Sequence, residues 1–211
     1  MTTFAVSPGS RLSGLALTAA LTASAALVAL LPASPVRAAE INLATLTCVK
    51  YENELLPASA KNPDADSLDT VMWLFGYAVA KSGKHVLYTD ALPPFGFALD
   101  DECKSNPAES MLDALAVVKP ETKNPMDLSN VQCGPFSTRH AQFARSDEES
   151  AKSIMMWLFG FTAATSGGHL FDASARPSFE AALLAECAKR PDDTLLDVLK
   201  KLKWSKPKPA G

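Results

Sequence analysis

Apolar positions along this chain recur with the period of a helix rather than that of a strand. Phe95, Leu99 and Cys103 stand at i, i+4 and i+8, as do Phe179, Leu183 and Cys187, so each trio lines one helix face. Met111, Leu112, Leu115 and Val118 make a second amphipathic stripe, and so do Leu195, Leu196, Leu199 and Leu202. Two more apolar stretches, 67–81 and 146–165, read as longer helices ended by Gly83 and by Gly167-Gly168. Ser146 and Glu149 match an S-x-x-E capping box for the second of these. Pro93 and Pro177 suit the first turn of the helices that follow. Pro107 and Pro191 are read as opening a third helix. Segments 51–56 and 86–88 are too short to argue a sheet. The expectation is an all-α protein.

The pattern is written twice. Met72-Trp73-Leu74-Phe75-Gly76-Tyr77 recurs as Met156-Trp157-Leu158-Phe159-Gly160-Phe161, an offset of 84 residues. His85 and His169, Phe95 and Phe179, Cys103 and Cys187, Pro107 and Pro191, and Asp113 and Asp197 keep that offset, and Cys48 and Cys133 miss it by one residue. A constant offset over so many positions implies two copies of one structural unit. The expected boundaries are 1–39 for a leader, 40–119 for the first helical domain and 120–130 for a linker. The second domain follows at 131–205 and a basic tail at 206–211. Gly76 and Gly160 interrupt otherwise good helices at a cost of about 1 kcal/mol each against alanine, which suggests close packing against another helix.

The ends change the picture. Arg11 precedes an apolar run over 15–31, then Pro32, Pro35 and small residues near 36–39, the order of a secretory signal. The expectation is export to the periplasm through the Sec route, with no membrane contact after cleavage. Export also makes disulfides the natural reinforcement for units this small. Without the leader the chain keeps 18 bases against 23 acids, a net −5. Neither half is basic enough to suggest nucleic acid.

Four cysteines allow three connectivities. If each copy closes on itself, the bridges are Cys48–Cys103 and Cys133–Cys187, with matched separations of 55 and 54 residues. There is no C-x-x-C, and the short-spaced ligand cluster that zinc requires is lacking. No metal or other cofactor is expected. G-x-S-x-G, H-E-x-x-H and a glycine-rich phosphate loop are all missing, so the chain is read as not an enzyme.

The order cysteine, W-x-x-G-aromatic helix, cysteine, proline and leucine-rich helix resembles the HdeA/HdeB family of periplasmic acid-stress chaperones. The matching residues are Cys48, Trp73, Gly76, Tyr77, Cys103, Pro107 and 112–115, then Cys133, Trp157, Gly160, Phe161, Cys187, Pro191 and 196–199. The resemblance implies a small HdeA-like helical fold with one disulfide per unit. It also implies an ATP-independent holdase that binds unfolding client proteins in acid. Family members are single domains that pair as homodimers at neutral pH, whereas two units are fused here. Pairing within the chain could therefore replace the homodimer.

Within that reading, Trp73, Phe75, Tyr77, Trp157, Phe159 and Phe161 are the candidate client-binding or domain-pairing residues. Asp113, Asp197, Glu102 and Glu186 are the candidate pH-sensing carboxylates, the two aspartates because they sit among leucines. Protonating all acids and the 3 histidines would carry the exported chain to about +21, and self-repulsion of that size loosens compact states. His85 and His169 occupy equivalent places after the first long helix, while His140 has no counterpart and no assigned role. The alternative reading is a secreted helical inhibitor of the immunity-protein type, which would stay folded in acid and bind one enzyme.

Overall fold

The computed structural model describes residues 40–55, 66–87, 92–119 and 125–202. The leader at 1–39, residues 120–124 of the linker and the basic tail at 206–211 lie outside the described residues. The first copy runs through strand β1 (Ile41–Asn42), helix α1 (Cys48–Lys50) with a π-helical turn over Tyr51–Leu55, and helix α2 (Asp66–Lys81). Strand β2 (Val86–Leu87), helix α3 (Leu92–Ser105) and helix α4 (Met111–Val117) complete it. The second copy repeats the order as β3 (Met126–Asp127), α5 (Cys133–Ser146), α6 (Glu148–Thr165), β4 (Leu170–Phe171), α7 (Arg176–Lys189) and α8 (Leu195–Lys201). The all-α expectation holds apart from these four two-residue strands.

Both disulfides close within a copy, Cys48–Cys103 and Cys133–Cys187, each with Cα atoms 4.8 Å apart. Each ties the first helix of its copy to the helix that carries the Phe-x₃-Leu-x₃-Cys stripe. All of that stripe is buried: Phe95, Leu99 and Cys103, and Phe179, Leu183 and Cys187.

Pro107 and Pro191 do not open the third helix. Ser110 and Thr194 cap α4 and α8, accepting the N–H of Asp113 and Asp197 at 3.2 and 3.1 Å. The proline turns have another use. The carbonyls of Pro107 and Glu109 accept the N–H groups of Val49 and Cys48, and those of Pro191 and Asp193 accept Gly134 and Cys133. The first N–H groups of a helix have no partner inside it, and here the turn beside the disulfide supplies one.

The second long helix also starts differently. Asp147, not Ser146, caps α6: its carboxylate accepts the Ser150 N–H at 3.1 Å and the Ser150 hydroxyl at 2.6 Å. Ser146 instead ends α5, a 14-residue helix that the apolar pattern did not locate.

The copies exchange their lead-ins. β1 of copy one pairs antiparallel with β4 of copy two, and β2 of copy one pairs with β3 of copy two. Leu43 donates to the carbonyl of His169 at 3.0 Å and Leu128 donates to that of His85 at 2.8 Å. The two ladders are related by the repeat itself, and the described residues of both halves fall in one compact unit.

Candidate functional site: the crossing of the two repeated helices

The centre of the molecule is the contact between α2 and α6. A Cβ placed on Gly76 would lie 2.0 Å from the carbonyl oxygen of Trp157, and one on Gly160 would lie 1.9 Å from that of Trp73. Each glycine faces the backbone of the residue three before its counterpart. The contact is thus reciprocal, and only a hydrogen in place of Cβ lets the two backbones approach this closely.

The six aromatic candidates surround this crossing. Trp73 meets Phe159 edge-on at 6.2 Å, and Phe75 meets Trp157 edge-on at 6.5 Å. Trp73 stacks on Tyr77 at 5.3 Å and Trp157 on Phe161 at 5.5 Å. Each copy also feeds its own second helix into the cluster, through Phe75–Phe95 and Phe159–Phe179. All six are buried, Tyr77 being the most exposed at 3%. As the molecule stands, they are core shared by two copies and offer no surface to a client.

The cluster carries a cost. The indole Nε1 groups of Trp73 and Trp157 are both buried with no hydrogen-bond partner among the described residues, and so is His85 Nδ1. A buried unpaired donor costs about 1–3 kcal/mol relative to its hydrated state. Two matched indoles therefore offset part of what burial of the rings contributes, and separating the copies would relieve both. The His85 ring lies against Phe161 of the other copy at 6.1 Å.

The carboxylate candidates are not in this core. Asp113 and Asp197 are exposed, because they occupy the third position of α4 and α8, where the cap directs them outward. Each accepts the hydroxyl of its capping residue, Ser110 at 2.6 Å and Thr194 at 2.8 Å. Their expected burial among leucines fails because the leucines flank them on the helix without sharing their face. Glu102 accepts from the Asn106 side chain at 2.7 Å. Glu186 is held below the usual carboxylate range by hydrogen bonds from Lys189 and Arg190.

Other groups respond to acid. The Ser150 hydroxyl and N–H lower the Asp147 carboxyl, and the Ser129 N–H and hydroxyl lower that of Asp127, which lies on β3 in a ladder between the copies. Their contribution to stability is present above the unfolded aspartate pKa and is lost as pH falls through the lower folded one. Glu109 runs the other way. Burial and the nearby Glu102 and Asp113 raise it, so acid relieves rather than removes a contact there.

Helix α5 is what sequence reasoning missed. Its spacing was available: Phe136, His140 and Phe143 stand at i, i+4 and i+7. His140 is buried and its Nε2 lies 3.5 Å from Glu180 Oε1 on α7, while Arg176 pairs with the same carboxylate at 3.2 Å. No cluster of three or more His, Cys, Asp or Glu suited to a metal ion occurs among the described residues, and all four cysteines are bridged. None of the helices searched among the described residues is long and apolar enough to cross a membrane. Comparison with protein-family models, with curated proteins and with solved structures gives no match in any of the three.

Proposed function

We propose that the protein is an exported, ATP-independent holdase of the HdeA/HdeB kind that binds unfolding periplasmic proteins in acid. One observation carries this reading. The largest apolar residues of two separately cross-linked copies are buried against each other, so parting the copies exposes them while each copy remains braced. Charge supplies the drive. The exported chain passes from −5 to about +21 when its carboxylates and histidines are protonated, and repulsion of that size opposes compact states. The loss of the Asp127 and Asp147 contacts and the two unpaired indoles act in the same direction. The intrachain pairing stands in for the homodimer of single-domain relatives.

The test is light scattering of an acid-denaturing client at about pH 2–3, below the usual carboxylate pKa values. Equimolar protein should suppress aggregation there and leave a heat-aggregating client unaffected at neutral pH. Undiminished scattering in acid rejects the holdase.

The exchanged lead-ins favour a second reading. Two ladders tie each copy to the other, which suits an inhibitor that stays folded and binds one enzyme at neutral pH. Circular dichroism with hydrophobic-dye binding from neutral pH to acid separates the two. A reversible transition with dye uptake belongs to the holdase, and an unchanged spectrum belongs to the inhibitor.

A further inference from the structure

A cavity of about 280 Å³ opens beside α5. It is lined by α5 together with residues of α6, α8 and the β2–β3 ladder. Leu87, Leu158 and Leu195 form its buried floor, and Phe143 and Met126 stand at its mouth, 45% and 41% exposed. Large apolar side chains left in water around a concave apolar wall mark a binding site more often than idle surface.

Its charge is one-sided. Arg139 and His140 both line it, and no carboxylate does. His140 is already engaged by Glu180. Arg139 is exposed and makes no ion pair or side-chain hydrogen bond among the described residues. The place related to the cavity by the repeat provides an internal comparison. Counted from the paired cysteines, the place of Arg139 is taken there by Glu54, and the place of Leu87 is taken in β4 by Phe171, whose ring packs on Trp73 at 5.2 Å. At that place a bulky ring and an acid stand where the cavity has a smaller side chain and a base.

We propose that this cavity binds a free single-chain carboxylate of medium length, its alkyl chain on the leucine floor and its head group at the Arg139 guanidinium. Guanidinium and carboxylate match as a two-point hydrogen-bonding pair, and the chain supplies the affinity. This inference goes beyond the chaperone reading and is independent of it.

The test is calorimetric titration of the oxidised protein at neutral pH with dodecanoate below its micelle concentration. Saturable one-to-one binding is expected, with each methylene removed from the chain weakening it about fourfold. Dodecanol, which lacks the charge, should bind about tenfold more weakly. Arg139→Glu, which installs the acid of the other copy, should bring dodecanoate to the level of dodecanol or below. Leu87→Phe should abolish binding of both while the far-ultraviolet dichroism stays native. If Leu87→Phe does not fold, Arg139→Glu and the dodecanol comparison still decide the matter. Failure to saturate, equal binding of dodecanoate and dodecanol, an undiminished affinity in Arg139→Glu, or association only with anionic phospholipid vesicles overturns the proposal.

Discussion

Two glycines, 76 and 160, set how near the repeated helices come. Alanine is the better helix former by about 1 kcal/mol, yet its methyl would sit 2.0 or 1.9 Å from a backbone carbonyl that has no rotamer with which to move away. The clash outweighs the propensity gain. Gly76→Ala and Gly160→Ala should each destabilise by roughly 2–4 kcal/mol, read as a lower urea midpoint. Gly96→Ala on α3 meets nothing within 4 Å and should leave stability unchanged or raise it by up to about 1 kcal/mol. The close approach was legible in advance, since a helix-breaking residue in the same place in both copies suggested a helix contact. Which backbone it approached was not legible, because that depends on the pairing of residues 84 apart.

At the scale of elements, caps decided more than periodicity did. The apolar stripes located α3, α4, α7 and α8, and Pro93 and Pro177 fell in the first turns of α3 and α7 as expected, but the starts of α4 and α8 were misplaced, because Pro107 and Pro191 suit a first turn and equally suit the turn before it. Their carbonyls were needed by the neighbouring helix, a demand that no local window contains. Helix α5 was missed because its stripe is sparse: Phe136, His140 and Phe143 stand among polar or small residues. Asp147 separates α5 from α6, and it lends itself to a pH experiment. Its folded pKa is depressed by Ser150, so Asp147→Ala should lower the urea midpoint at neutral pH. The gap from wild type should close as pH falls below about 4, the ordinary aspartate range. A gap that stays constant down to acid would mean that the cap acts without its charge.

For the whole molecule, the exchanged strands and the glycine crossing make each half the missing partner of the other. Residues 40–119 and 120–205, produced as separate oxidised chains, should assemble one-to-one. Fusion then raises the local concentration of the partner, often to millimolar. Mixed halves should therefore dissociate on dilution and open at a higher pH than the intact chain, as followed by size-exclusion chromatography and dye binding. Chains that remain monomeric when mixed would show that the crossing is maintained only by the linker. The sequence alone determined the helical class and the 84-residue recurrence of motifs, because each is carried by period or offset, and it narrowed the cysteines to three connectivities, of which the structure shows the one that closes each repeat on itself. The tertiary structure decided that the repeated aromatics face each other, that the lead-ins change sides, that the aspartates point outward and that a cavity opens beside α5. Those depend on which surfaces meet, and a residue's period along the chain states only that it has a buried face, not what buries it.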